Sequence, residues 1–152
     1  MKINLKKMIG VTLLEILLVL VVAALVLVMS IRYYQSASTS AKVNASVEIL
    51  QSAIGAADAY INAGKGISTI TDTALSPYFP GGVLPTDPWS GQVIAFSNAT
   101  TTSYDVSFSS VPGSACTQLA TLAQANSKIK QSASTACAAA GATAKLTFTI
   151  ST

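Results

Sequence analysis

The chain has 152 residues, of which 51% are hydrophobic and 10% charged. That charge content is far below the roughly 25% of ordinary soluble domains and argues against a free-standing soluble globule. Nine basic and six acidic side chains give a net +3, but Lys2, Lys6 and Lys7 all fall in the first ten positions. The remaining six basic groups balance the six acidic ones, and no Lys/Arg cluster is left to follow a nucleic-acid backbone.

In chain order, the first feature is a short basic leader that ends at Gly10. An apolar run follows, interrupted once by Glu15. A secretory signal carries its cleavage site after the apolar region. Here the small residue precedes it, so a cut after Gly10 removes the leader and keeps the apolar segment. Residues 16–31 contain no charge, and counting from Val11 the segment is long enough to span a bilayer. The lysines before it place the leader in the cytoplasm and the rest outside. A carboxylate in such a helix costs roughly 2.5–3.5 kcal/mol at the centre of a span, and less near its end, where Glu15 stands. Glu15 therefore needs a partner, and the freed amine of Val11, on its own or a neighbouring chain, is the nearest cation. The plainer reading is a glutamate at the membrane interface.

Residues 11–62 contain no proline and one glycine, Gly55, which permits a single helix of about 50 residues, roughly 75 Å long. Arg32, Tyr33 and Tyr34 suit a headgroup boundary. Beyond them Val43, Val47, Leu50, Ile54, Ala57 and Ile61 recur at alternating steps of four and three, one helical face. Gly64 and Gly66 are placed to end the helix.

Residues 67–91 read as an irregular connection, with four of the five prolines and a short helical turn over 71–75. Tyr78, Phe79, Leu84 and Trp89 would tack it to a core. Residues 93–96 form a short apolar strand. Residues 104–108 alternate, with Tyr104, Val106 and Phe108 on one face, and the two runs make a hairpin. Residues 114–124 read as a helix with Cys116, Leu119, Leu122 and Ala123 on one side. Residues 127–143, rich in Ala and Ser, read as loop or weak helix, and 145–151 as a closing strand with Leu146, Phe148 and Ile150 inward. Three strands covering the amphipathic half of a long helix make an α+β fold with a small antiparallel sheet.

Two cysteines, Cys116 and Cys137, lie in the exported part, where a pair of this kind is expected to be a disulfide. Two cysteines without any histidine make a poor metal site. The lack of histidine also removes the commonest catalytic base, no serine sits in a nucleophile elbow, and no enzyme or cofactor is expected. Asp72, Asp87 and Asp105 could be imagined around a calcium ion, but solvated loop carboxylates are the better reading. Trp89 reads as an anchor for its loop rather than a ligand contact. The glycosylation patterns at Asn44-Ala45-Ser46 and Asn98-Ala99-Thr100 are taken as chance.

Basic leader, Gly10, Val11, Thr12-Leu13-Leu14, Glu15 and the apolar run together resemble the class III signal of type IV prepilins. Val11 departs from the commonest first residue of that family, phenylalanine, and the departure is similar to type IVb members. Asp87-Pro88-Trp89-Ser90-Gly91 and the stretch 111–119 look like the globular half of small type IVb pilins, and Asp87-Pro88-Trp89 is also similar to a motif of major pseudopilins. The resemblance implies a pilin fold in three parts: leader 1–10, a membrane and filament-core half helix 11–34, and a periplasmic globular domain 35–152. It implies cleavage between Gly10 and Val11 by prepilin peptidase, N-methylation of Val11, and an assembly role for Glu15. The partners implied are other copies of the subunit in a homopolymer, an inner-membrane platform with its ATPase, and an outer-membrane secretin. The chain would wait in the bacterial inner membrane and then join an extracellular filament. The alternatives are a pseudopilin of a type II secretion-like system, a minor pilin, or a single-span membrane protein with a periplasmic binding domain that never polymerises.

Overall fold

The computed structural model describes residues 6–132, Cys137 and 142–152, the side chains of 6–12 excepted. Helix α1 runs over Lys6–Asn62 as one element of 57 residues, as the lack of internal proline allows. The chain divides into two units, Met1–Ser38 and Thr39–Thr152. In the first, the described side chains lie on α1 with no core around them. The second holds all of the remaining elements.

In the second unit α1 ends beside Gly64, whose φ of +79° and N–H bond to the Ile61 carbonyl turn the chain out of the helix. Helix α2, Asp72–Leu75, is a single turn capped by the Thr71 hydroxyl, which accepts from the Ala74 N–H. The strands are β1 (Ala95–Ser97), β2 (Ser103–Pro112), β3 (Ile129–Gln131) and β4 (Thr143–Ser151), and α3 (Gly113–Ala123) lies between β2 and β3. They form one sheet, ordered β1-β2-β4-β3 with every pair antiparallel. The fold is therefore α+β, a long N-terminal helix packed on a four-stranded antiparallel sheet. The expected hairpin is β1–β2, with Phe96 opposite Val106.

The core lies between α1 and one sheet face. Tyr104, Val106, Phe108, Leu146, Phe148 and Ile150 are all buried there. Phe79, Phe96 and Tyr104 form a chain of rings 6.3 and 6.1 Å apart, and Phe108 meets Phe148 edge-on at 6.3 Å. The Tyr104 hydroxyl points at the Ala53 carbonyl of α1 from 3.5 Å. Cys116 and Cys137 are joined in a disulfide, Cα to Cα 5.6 Å, which closes a loop 21 residues in sequence separation. In the chain-entropy picture such a closure is worth roughly 3 kcal/mol.

Four expectations need correction. The buried positions of α1 are Val43, Ser46, Leu50, Ala53, Ala57 and Tyr60, with Ala56 beside them, while Val47 and Ile54 are half-buried at the margin. Small residues share the buried stripe with Leu50 and Tyr60, so side-chain size and hydropathy alone do not mark the face that meets the sheet. On α3 the buried side is Ala115, Cys116, Leu119, Ala120 and Ala123, and Leu122 is 47% exposed. Residues 127–143 contain the edge strand β3, which presents only Ile129 inward and Lys130 outward. A short edge strand with one apolar residue leaves too little alternation to read. The sheet thus has four strands rather than three. Residues 133–136 and 138–141 of that same stretch lie outside the described residues.

Burial raises the Tyr104 hydroxyl above its ordinary pKa, and the Asp58 carboxylate adds to the rise. The folded unit keeps this proton where an unfolded chain gives it up near pH ~10. Stability is full below the unfolded value and falls as pH rises above it. Full-length protein in detergent should show a denaturant midpoint that drops above about pH 10, with a shallower drop in Tyr104→Phe. Identical pH profiles for the two proteins would remove Tyr104 as the cause.

Candidate functional site

The segment that the sequence singles out lies in the first unit. Every large apolar side chain described from Leu13 to Ile31 is exposed, with fractions between 52% and 69%. The helix is long and apolar enough to cross a membrane by length and composition. Nineteen residues at ~1.5 Å each give about 28 Å, close to the ~30 Å of a bilayer's hydrocarbon core. Ser30 does not break this character, since its hydroxyl donates to the Val26 carbonyl at 2.8 Å and is satisfied within the helix. Glu15 is exposed and shares a shallow surface with Ile16, Val19 and Leu20, so a carboxylate stands among aliphatic neighbours. Gly10 and Val11 fall within the bounds of α1, but their side chains lie outside the described residues. Cys116 and Cys137 belong to the second unit and are bonded to each other.

The second unit carries a feature that periodicity did not reveal. Asp87, 2% exposed, is the hub of the loop before β1. Its Oδ1 accepts from the Trp89 N–H at 2.9 Å, and its Oδ2 accepts from the Ser90 hydroxyl at 2.9 Å and the Ser109 N–H at 2.7 Å. Backbone bonds from Asp87 N–H to the Gln92 carbonyl and from Gly91 N–H to the Asp87 carbonyl close the turn, and Gly91 takes the positive φ of +69° it requires. Ser109 belongs to a β-bulge in β2, where the register slips between Phe108 and Val111 and Ser110 has φ of +58°. One carboxylate therefore folds the loop on itself and fastens it to the irregular part of the central strand. The local signal was in the sequence, since Asp followed two residues later by a free N–H is the usual start of an Asx turn.

Trp89 is placed by this turn. Its indole N–H donates to the Ser46 hydroxyl of α1 at 2.9 Å, and Lys42 lies 5.6 Å from the ring centre. The ring packs on the core, so Trp89 is the anchor expected. At the far end of this part of α1, Lys65 lies 5.0 Å from the ring of Tyr60 and 5.7 Å from that of Tyr78, which themselves meet edge-on.

Asp72, Asp87 and Asp105 are not three solvated loop carboxylates. Asp87 and Asp105 are buried, and each of the three has its own hydrogen bonds. Asp72 accepts from the Phe96 N–H at 2.7 Å, and Asp105 accepts from the Asn98 amide at 2.8 Å and the Thr149 hydroxyl at 2.6 Å. Among the described residues no three ligating side chains come together as a metal site. Comparison of the chain with protein-family models, with curated proteins and with solved structures finds no match.

Replacing Asp87 with alanine leaves the N–H groups of Trp89 and Ser109 without their acceptor. We expect a loss of roughly 2–5 kcal/mol in denaturant unfolding of the full chain. We also expect a red-shifted emission from Trp89, the only tryptophan. Unchanged emission and midpoint would show that the loop holds without its hub.

Proposed function

We propose that the chain is the structural subunit of a type IV pilus, of the IVb kind, cut after Gly10 and polymerised into a filament. The observation that carries this reading is the first unit. Its helix is apolar on all sides, carries one carboxylate five residues beyond Gly10, and runs on into a small disulfide-bonded α+β unit. Each of its large apolar side chains gains roughly 1.5–3 kcal/mol on leaving water. Such a surface has two stable settings, a bilayer or the side of other apolar helices. A pilin subunit uses both in turn, the membrane before assembly and the filament core after it.

Glu15 gives the second setting its register. Inside a packed core an unpaired carboxylate is costly, and the amine exposed by cleavage before Val11 supplies the charge that neutralises it. Desolvation offsets much of the attraction, so the pair selects a stagger between subunits more than it adds stability. The globular unit is the part left outside, held by its sheet and its disulfide. Membrane platform, ATPase and secretin are the partners such a subunit needs, and none of its chemistry calls for a cofactor.

Cleavage is the first test. Gly10→Val should accumulate full-length protein in cells that contain prepilin peptidase, and the unaltered chain should lose ten residues there and keep them in cells without it. An identical mature N-terminus in Gly10→Val, read by intact mass, would remove the processing claim and leave a plain membrane anchor. Recovery of the chain as the main component of sheared surface fibres separates a pilin from a pseudopilin.

Assembly is the second. Glu15→Val keeps the leader and the span, so it should still be inserted and cleaved. It should form no filaments alone, and enter them only when mixed with unaltered subunits. Normal filament yield from Glu15→Val alone would reduce that residue to an interfacial glutamate.

A further inference from the structure

The sheet has two edge strands, β1 and β3, each three residues long. An edge offers unpaired backbone groups to any other strand, and proteins blunt it with charge, proline or a cover. On β3 the charge is its own. Lys130 stands exposed there, and the Ile129 N–H donates to the Asn126 carbonyl. Ala95-Phe96-Ser97 of β1 contains neither charge nor proline. Its outward groups are met from the loop before it. The Gln92 carbonyl accepts from the Asp87 N–H at 2.7 Å, and the Ile94 N–H donates to the Pro85 carbonyl at 3.2 Å. One step further along, the Phe96 N–H donates to Oδ1 of Asp72 at 2.7 Å, 24 positions away in sequence. Residues 92, 94 and 96 therefore turn these groups away from β2, and a side chain meets the last of them in place of a backbone carbonyl.

We infer that Asp72 is a latch on the β1 edge, standing where the carbonyl of an added strand would stand, and that its release lets the β1 edges of two copies pair. The carboxylate is not needed by its own helix, because the Thr71 hydroxyl already accepts from the Ala74 N–H. Leu75, fully buried, fixes α2 to the core and so holds Asp72 at the edge. Asp72 itself is exposed, so a competing acceptor can reach the Phe96 N–H and displace it. The bond from Ile94 is different in kind, since its acceptor is the backbone of a loop that Asp87 fastens down. Val83 and Val93, 67% and 52% exposed, line the same depression as Asp72, so apolar surface lies beside the latch. The strand that an uncharged edge accepts with no added repulsion is its own copy. With Phe96 opposite Phe96 in an antiparallel pair, each N–H gains the other's carbonyl, and the contact closes on a two-fold axis. The inference does not depend on the reading of the chain as a pilus subunit.

The test is amide exchange at Phe96, read by NMR on the full-length chain in detergent, together with sedimentation of the same samples. In dilute Asp72→Ala the Phe96 amide should exchange about tenfold faster than in the unaltered chain, because a charge-assisted bond is lost. At higher protein concentration Asp72→Ala should gain dimers that the unaltered chain lacks, and protection at Phe96 should return as a partner's carbonyl replaces Oδ1. Asp72→Asn keeps an oxygen acceptor and should match the unaltered chain in both measurements. Ser97 is exposed on β1, so adding Ser97→Lys to Asp72→Ala places a charge on the opened edge. That double variant should stay without the extra dimers and keep the fast exchange at every concentration. Unchanged exchange in Asp72→Ala overturns the latch. Fast exchange with no added dimer overturns the pairing of copies, and dimers that survive Ser97→Lys assign the association to another surface and overturn it too. Trp89 emission monitors the fold of each variant. An Asp72→Ala chain that fails to fold would make the carboxylate a support of the core, and the latch would again be overturned.

Discussion

The fold of the globular unit depends on the contact between one stripe of α1 and one face of the sheet. Val43, Ser46, Leu50, Ala53, Ala57 and Tyr60 form that stripe, and the Tyr104 hydroxyl of β2 reaches the Ala53 carbonyl across it. The sheet side supplies aromatic rings from β1, β2 and β4 packed at angles to one another, Phe108 meeting Phe148 edge-on. Val47 and Ile54 stand half-buried at the margin. A larger side chain at Ala53 would overfill this packing, and the shift it forces would cost the hydroxyl its acceptor.

The same helix meets opposite demands along its length. Up to Ile31 it presents large apolar groups in every direction, which suits a lipid or helical environment and no core of its own. From Val43 onward it narrows to one buried stripe and returns charge and amide groups to the other sides. No proline or glycine marks the change, because both environments accept an α-helix and only the side chains need to differ.

Asp87 plays for the loop the part that the buried stripe plays for the helix. A connection rich in proline and glycine has few ladder bonds to hold it, and one buried carboxylate with three donors replaces them. The same group satisfies a backbone donor at the β-bulge, so the loop and the irregularity in β2 stabilise each other. Trp89 then reaches Ser46, and the loop, α1 and the central strand become one structure.

The sequence by itself determined the features that rest on local pattern. The span and length of α1, the short turn at 72–75, the β1–β2 hairpin, α3 and β4 follow from hydrophobic periodicity, caps and breakers, which act over a few residues. The pairing of Cys116 with Cys137, seen in the structure, was expected from two thiols in a unit read as exported. What the sequence did not reveal depends on distances between segments far apart in the chain. Which stripe of α1 is buried, whether Leu122 faces in or out, and whether Ile129 joins the sheet were decided by the packing of helix against strands. Asp87 and Asp105 look like surface carboxylates until Ser109, Asn98 and Thr149 are brought to them. The proposed site, Gly10, Val11 and Glu15, is a reading of sequence alone, made from a basic segment, a glycine and a carboxylate that are neighbours in the chain. That Val83 and Leu122 stay exposed is settled only once tertiary contacts have decided which apolar side chains enter the core.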